Sequence, residues 1–221
     1  MKIGDTTKSR IVEAASDILS RRGSTGIRTR EIAREAGVNT AAVNYHFGSK
    51  DELVRRVLDS SLQRMLKDWR IILDLDGMTV QVKLYCILDY TMENVIRSPG
   101  ILNSHLFDPQ LKLELREPFS RKVGDFLREL SETLAQHMPQ SAGDLRLGLG
   151  QALVTSISSA LIPQLFETIA DGKISTDSAR SRFLISLLKS SLGIYLSPSD
   201  IVQSDIARTR NLQLGPAGVQ A

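Results

Sequence analysis

Residues 29–50, TREIAREAGVNTAAVNYHFGSK, read as two short helices joined by a tight turn. Thr29 is a good N-cap type, and Ile32, Ala33 and Ala36 fall on one apolar face at helical spacing. Gly37 supplies the break, because glycine adopts at no steric cost the positive φ that ends a helix. Val38 turns back into the core. Asn39 and Thr40 can both cap a second helix, in which Val43 and Phe47 face inward. Thr40, Ala41, Ala42 and Asn44 are then left outside, and their mostly small side chains let the helix backbone approach a surface closely. Ser49 caps a third element, with Lys50 in its first turn and Asp51 and Glu52 matched to the helix dipole.

Two helices of this form make a helix-turn-helix, whose second helix can lie in a DNA major groove. The first 65 or so residues resemble the DNA-binding end of the tetracycline-repressor (TetR) family of bacterial transcription regulators. The resemblance rests on Ile11, Ala14, Ala15 and Leu19 before Gly23, on Thr29-Arg30 and Ile32-Ala33, and on Ala36-Gly37-Val38. Tyr45-His46-Phe47 and Ser49-Lys50-Asp51-Glu52-Leu53 complete it. Asn44 departs from the pattern: many members carry an aromatic residue there against a phosphate, and the shorter Asn44 can meet a base edge, a phosphate or nothing.

The resemblance implies roles for named residues. Thr29, Tyr45 or His46, and Lys50 would hold phosphates. Arg30 would reach a base edge, guanine being its usual partner. Thr40, Ala41, Ala42 and Asn44 would line the groove floor, and Asn39 is a further DNA-binding candidate. It also implies a homodimer on a double-stranded, near-palindromic DNA operator, a ligand cavity in the second domain, and repression as the family habit.

Composition fits an all-α chain. Hydrophobic residues make up 42%, enough for a globular core, while aromatics are sparse and alternating β-branched runs are missing. Residues 1–50 hold nine Lys/Arg and five Asp/Glu, whereas the whole chain holds 28 and 25, leaving 19 and 20 for the rest. The positive excess therefore sits at the helix-turn-helix end, where it would supply the salt-sensitive part of DNA affinity. The single cysteine, Cys86, allows no intrachain disulfide. The opening MKIGDTTKSR has no apolar signal-peptide core, and no apolar run approaches the ~20 residues that span a bilayer, so a soluble, cytoplasmic protein is expected.

Enzyme readings fare badly. His46, His105 and His137 lie far apart without partners at metal-site spacing, Gly148-Leu149-Gly150 lacks a phosphate-loop continuation, and no nucleophile elbow is visible. No cofactor is expected. The rival reading is a helical module that grips a protein rather than DNA, and Arg30, Lys50 and the charge bias argue against it.

Three domains follow: a helix-turn-helix domain over 1–53, a helical effector-binding and dimerisation domain over 54–197, and a flexible tail over 198–221. The spacing predicts helices over about 7–22, from about 49 to 75, from about 78 to 97, and over about 101–107. Three more are expected, one ending at Met138-Pro139 and two at about 143–171 and 177–196. Those last two are apolar beyond one stripe, so they need cover on more than one side; the resemblance implies that the cover is the same pair of helices in a dimer partner, the alternative being a central place in a monomer core. Pro163 should bend or break the first of them. Trp69, Tyr85, Leu88, Tyr90, Met92, His105, Phe107, Phe126 and Phe166 are the candidate ligand wall, and their character favours an apolar or amphipathic effector.

Overall fold

The computed structural model describes residues 3–107, 113–170, 172–197 and 199–201. Ten helices are assigned among them: α1 (Ile3–Arg22), α2 (Thr29–Glu35), α3 (Thr40–Phe47), α4 (Lys50–Leu73), α5 (Val80–Arg97), α6 (Pro99–Leu106), α7 (Leu113–Leu134), α8 (Ala142–Leu161), α9 (Pro163–Ala170) and α10 (Asp177–Leu192). The all-helical expectation holds across them.

Two compact units divide the chain. The first takes in the residues up to Arg64 together with Arg97–Ser120, and the second Met65–Ile96 together with residues from Arg121 on. Helix α4 is continuous through the first division.

The first unit, the head, has one core in which Ile11, Ile18, Leu19, Ile32, Val43 and Leu53 are almost fully buried. These are the apolar positions of the sequence pattern, and Val38 and Ile101 pack against them. Helix α6 belongs to this unit because it meets α1 at a point with no room for a side chain. A Cβ on Gly100 would lie 2.9 Å from the Ser20 carbonyl oxygen and closer still to the Leu19 carbonyl and the Gly23 amide. Ser104 seals the crossing: its Oγ accepts from the Ser24 amide at 2.8 Å and donates to the Gly100 carbonyl at 2.7 Å.

In the second unit the Trp69 indole donates to Thr91 Oγ1 at 3.0 Å and packs on Phe126. Arg180 is buried and joins α10 to the buried carboxylate of Asp89 on α5, with Asp177 at 2.7 Å. Beside it the Tyr85 and Ser181 hydroxyls share a hydrogen bond of 2.6 Å. Helices α8 and α10 cross at Gly148, where a Cβ would strike the Ser191 carbonyl and the Leu192 side chain.

Several expected boundaries are corrected. Helix α1 begins at Ile3 rather than near residue 7. Helix α5 ends at Arg97 as expected, but α6 opens at Pro99 rather than near residue 101, proline being suited to a first turn where its missing N–H costs nothing. The single helix expected over 143–171 is two, with Ile162 outside helical geometry before Pro163, which cannot continue the hydrogen-bond ladder. Helix α7 ends at Leu134, short of Met138. Helix α10 stops at Leu192 because Gly193 takes a left-handed φ of 66°. The expected tail lies outside the described residues, apart from 199–201.

Candidate nucleic-acid interface

Helix α3 is presented as the spacing predicts. Asn39 is its N-cap, and its Oδ1 accepts from the Ala42 amide at 2.8 Å. That bond spends the carbonyl oxygen of Asn39 on structure and leaves its amide NH2 outward. Val43 and Phe47 are buried, while Ala41, Asn44 and Tyr45 are exposed and Thr40, Ala42 and His46 half-buried. Tyr45 is 85% exposed, with its ring edge-on to His46 at 5.2 Å. The ring therefore contributes little to the core of the head.

The turn before α3 is fixed from α1. Gly37 has φ 63°, and the Arg10 guanidinium donates to the Gly37 carbonyl at 2.9 Å and to the Ala36 carbonyl. After α3, Gly48 takes φ 74° and Ser49 Oγ accepts from the Glu52 amide at 3.1 Å, starting α4 with Lys50 in its first turn. Lys50 is half-buried and 3.8 Å from Asp51.

Thr29 differs from its reading as a cap. The N-cap of α2 is Arg28, in extended backbone and without a side-chain cap bond, so Thr29 is the first helical residue and half-buried. Arg30 follows it, exposed. Glu31 and Glu35 are engaged by Arg22 and Arg21, each at 2.7 Å. On α4, hydrogen bonds from Arg55 and Arg56 hold the Glu52 carboxyl down at about 2. Arg28 and Arg34, exposed on α2, are cations that the motif did not single out.

Thr29, Arg30, Asn39, Thr40, Ala41, Ala42, Asn44, Tyr45, His46 and Lys50 thus all lie on α2, α3, their caps or the start of α4. A short helix with small outward side chains, flanked by exposed arginines and a lysine, is the arrangement of a DNA-binding helix-turn-helix. Residues 11–57 match the family model described as bacterial regulatory proteins, tetR family. The match spans most of α1 to the start of α4, the part of the chain that carries the helix-turn-helix.

Solved structures share the fold. A putative TetR-family transcriptional regulator from Mesorhizobium loti is 14% identical with a TM-score of 0.66, covering 89% of this chain and 100% of its own. NalD of Pseudomonas aeruginosa, the secondary repressor of the MexAB-OprM multidrug efflux pump, is 18% identical with a TM-score of 0.55, covering 86% and 96%. The fatty acid degradation regulator FadR from Bacillus halodurans is 17% identical with a TM-score of 0.61, covering 85% and 95%. Among the described residues no helix is long and apolar enough to cross a membrane.

The candidate ligand wall is not gathered in one place. Trp69, Leu88 and Phe126 share a small apolar space of about 20 Å³ with residues such as Leu84, Leu130 and Leu153. Tyr85 is tied to Ser181, Tyr90 donates to Asp68, Met92 is fully buried, and Phe166 stands edge-on to Phe183. His105 and Phe107 lie in the other unit, the head, where His105 stacks on Phe119 and Phe107 is exposed. Ligand sites for drug-sized molecules run to roughly 300–1,000 Å³, so this small space would have to open to admit one.

Helix α8 carries a different feature, an open groove of about 640 Å³ along Gly143, Leu147, Gly150 and Val154, bordered by the polar Arg146, Gln151 and Thr155. Leu147 and Val154 are 64% and 63% exposed. The spacing of these four positions, alternately four and three residues, is that of a helix–helix seam.

Proposed function

We propose that this protein is a ligand-responsive repressor that binds a near-palindromic operator as a homodimer and is released by an apolar or amphipathic small molecule. The observation that carries the DNA half is α3, with Thr40, Ala41, Ala42 and Asn44 outward between Arg30 on one side and Tyr45 and Lys50 on the other. Thr29, Tyr45 or His46, and Lys50 hold phosphates in this reading, and Arg30 reads a base. The amide NH2 of Asn39 and the side chains of Thr40 and Asn44 meet the groove floor, with the alanine methyls against thymine methyls.

Dimerisation is supported by the unsatisfied apolar seam on α8, and the proposed interface runs along α8 and α10. A twofold pair places two copies of α3 about 34 Å apart in successive major grooves. Residues 1–53 of the head then read DNA, and 54–197 bind effector and partner. The effector assignment rests on the wholly apolar space beside Trp69 and Phe126. NalD, a repressor, and FadR, a fatty acid degradation regulator, share the fold. A ligand acts only through unequal affinity for two conformations, and α4, continuous from Lys50 to Leu73, is the element to carry the difference.

The test is fluorescence anisotropy of a labelled operator with purified protein, with the complex sized in solution and then challenged with acyl chains and aromatic hydrocarbons. Two protomers per operator and release by at least one compound are expected. One protomer per operator would contradict the dimer, and retention against the whole series would contradict the effector class.

A further inference from the structure

Ion pairing sorts the cations of the head into two sets. Arg21 and Arg22, at the end of α1, are taken by Glu35 and Glu31. Arg10 is spent on the carbonyls of Ala36 and Gly37, and Arg55 and Arg56 on Glu52, with Asp59 also engaging Arg55. Both acidic residues of α2 are therefore committed to α1. On α2 and its N-cap there remain Arg28, Arg30 and Arg34, all exposed, with no carboxylate at ion-pair distance among the described residues.

Helix geometry turns this remainder into a row. Residues four apart share a face, so Arg30 and Arg34 form one strip and Glu31 and Glu35 the next, turned toward α1. Ile32, Ala33 and Ala36 fill the buried side. Arg28, the exposed N-cap residue of α2, stands where the strip begins. Like charges four apart oppose a helix in water, and this pair sits beside a strip whose charges are fully matched. An uncompensated arginine edge next to a compensated one fits a polyanion lying along that edge and no other.

We propose that Arg28 and Arg34 are DNA-phosphate contacts which, with Arg30, form an arginine row that sets the register of the head on the duplex. The proposal rests on the DNA-binding reading above and extends its contact set by two residues. Phosphate contacts position a protein without reading sequence, so both substitutions weaken operator and random duplex alike.

The experiment measures affinity for duplex DNA against salt concentration for the wild type and for Arg28→Gln, Arg34→Gln, Arg21→Gln and Arg22→Gln. Each variant loses one positive charge, so a general field effect would move all four equally. The row predicts that Arg28→Gln and Arg34→Gln each reduce the slope of log affinity on log salt by about 0.9 per bound head. For two heads, the affinity lost between about 50 and 200 mM salt then shrinks roughly tenfold. Arg21→Gln and Arg22→Gln keep the wild-type slope, as does Arg34→Lys, which retains the charge. A wild-type slope in Arg28→Gln or in Arg34→Gln, or an equal fall in all four, overturns the row while leaving DNA binding intact. A wild type without duplex affinity overturns the DNA-binding reading itself and the row with it.

Discussion

Replacing Gly100 by alanine adds one methyl group at the closest helix crossing in the head. That carbon would sit 2.9 Å from the Ser20 carbonyl oxygen and nearer to two further backbone atoms, of Leu19 and Gly23. Backbone cannot rotate aside as a side-chain tip can, so α6 must back away from α1. Overpacking of this kind costs about 1–3 kcal/mol. The retreat also pulls Ser104 Oγ off the Ser24 amide, and a buried donor left without a partner costs about 1–3 kcal/mol more. The expected loss is therefore about 2–6 kcal/mol, a fall in melting temperature of ~10 °C or more for a unit of this size. Thermal unfolding of the full chain, followed by far-UV circular dichroism, reads it. Ser104→Ala isolates the polar share and should lose about half as much. Gly124→Ala, in α7 with nothing within 4 Å of its added carbon, should be neutral or stabilising by about 1 kcal/mol, since alanine is the better helix former. A Gly100→Ala protein melting within ~1 °C of wild type would refute the close α1–α6 docking and the reasoning built on it.

Burial pushes the His105 imidazole down to about 4, outweighing the smaller upward pulls of the Leu58 backbone and Asp59. Its unfolded value is about 6.5, so the fold favours the neutral form; the stability this carries is present above pH ~6.5 and lost as pH falls toward 4, about 3 kcal/mol in full. Urea unfolding at stepped pH should show this loss in the wild type and not in His105→Leu, and equal pH slopes in the two would refute it. On α8, the double substitution Leu147→Arg and Val154→Arg places cations on both exposed apolar positions of the seam. Sedimentation should then find a folded monomer with operator affinity lowered at least tenfold, and an intact dimer would place the interface elsewhere.

The helix-turn-helix was legible because its signals are local. Gly37 ends α2, Asn39 caps α3 and Ser49 caps α4, each within three or four residues of the group it serves. The cap of α2 was misread for an equally local reason: Thr29 is the better capping type, but the chain places Arg28 there, a choice that capping propensity does not favour. Pro163 announced the break between α8 and α9 by its chemistry. What sequence could not show was the place of α6, because its attachment depends on Gly100 meeting the end of α1 and on a hydrogen bond from Ser24 to Ser104 across eighty residues. The ligand wall failed to gather for a similar reason. His105 and Phe107 share aromatic character with Trp69 and Phe126, and composition alone does not say which side of a unit boundary each will occupy.

The central claim is that α3 reads a specific duplex sequence from a twofold-symmetric pair of heads. The direct measurement is selection of bound fragments from genomic DNA by the purified full chain, at low and at physiological salt. The account predicts a near-palindrome whose half-sites lie about one helical turn apart and which persists at the higher salt. Recovery of unrelated fragments that vanish together as salt rises would contradict it, leaving a basic head without sequence recognition.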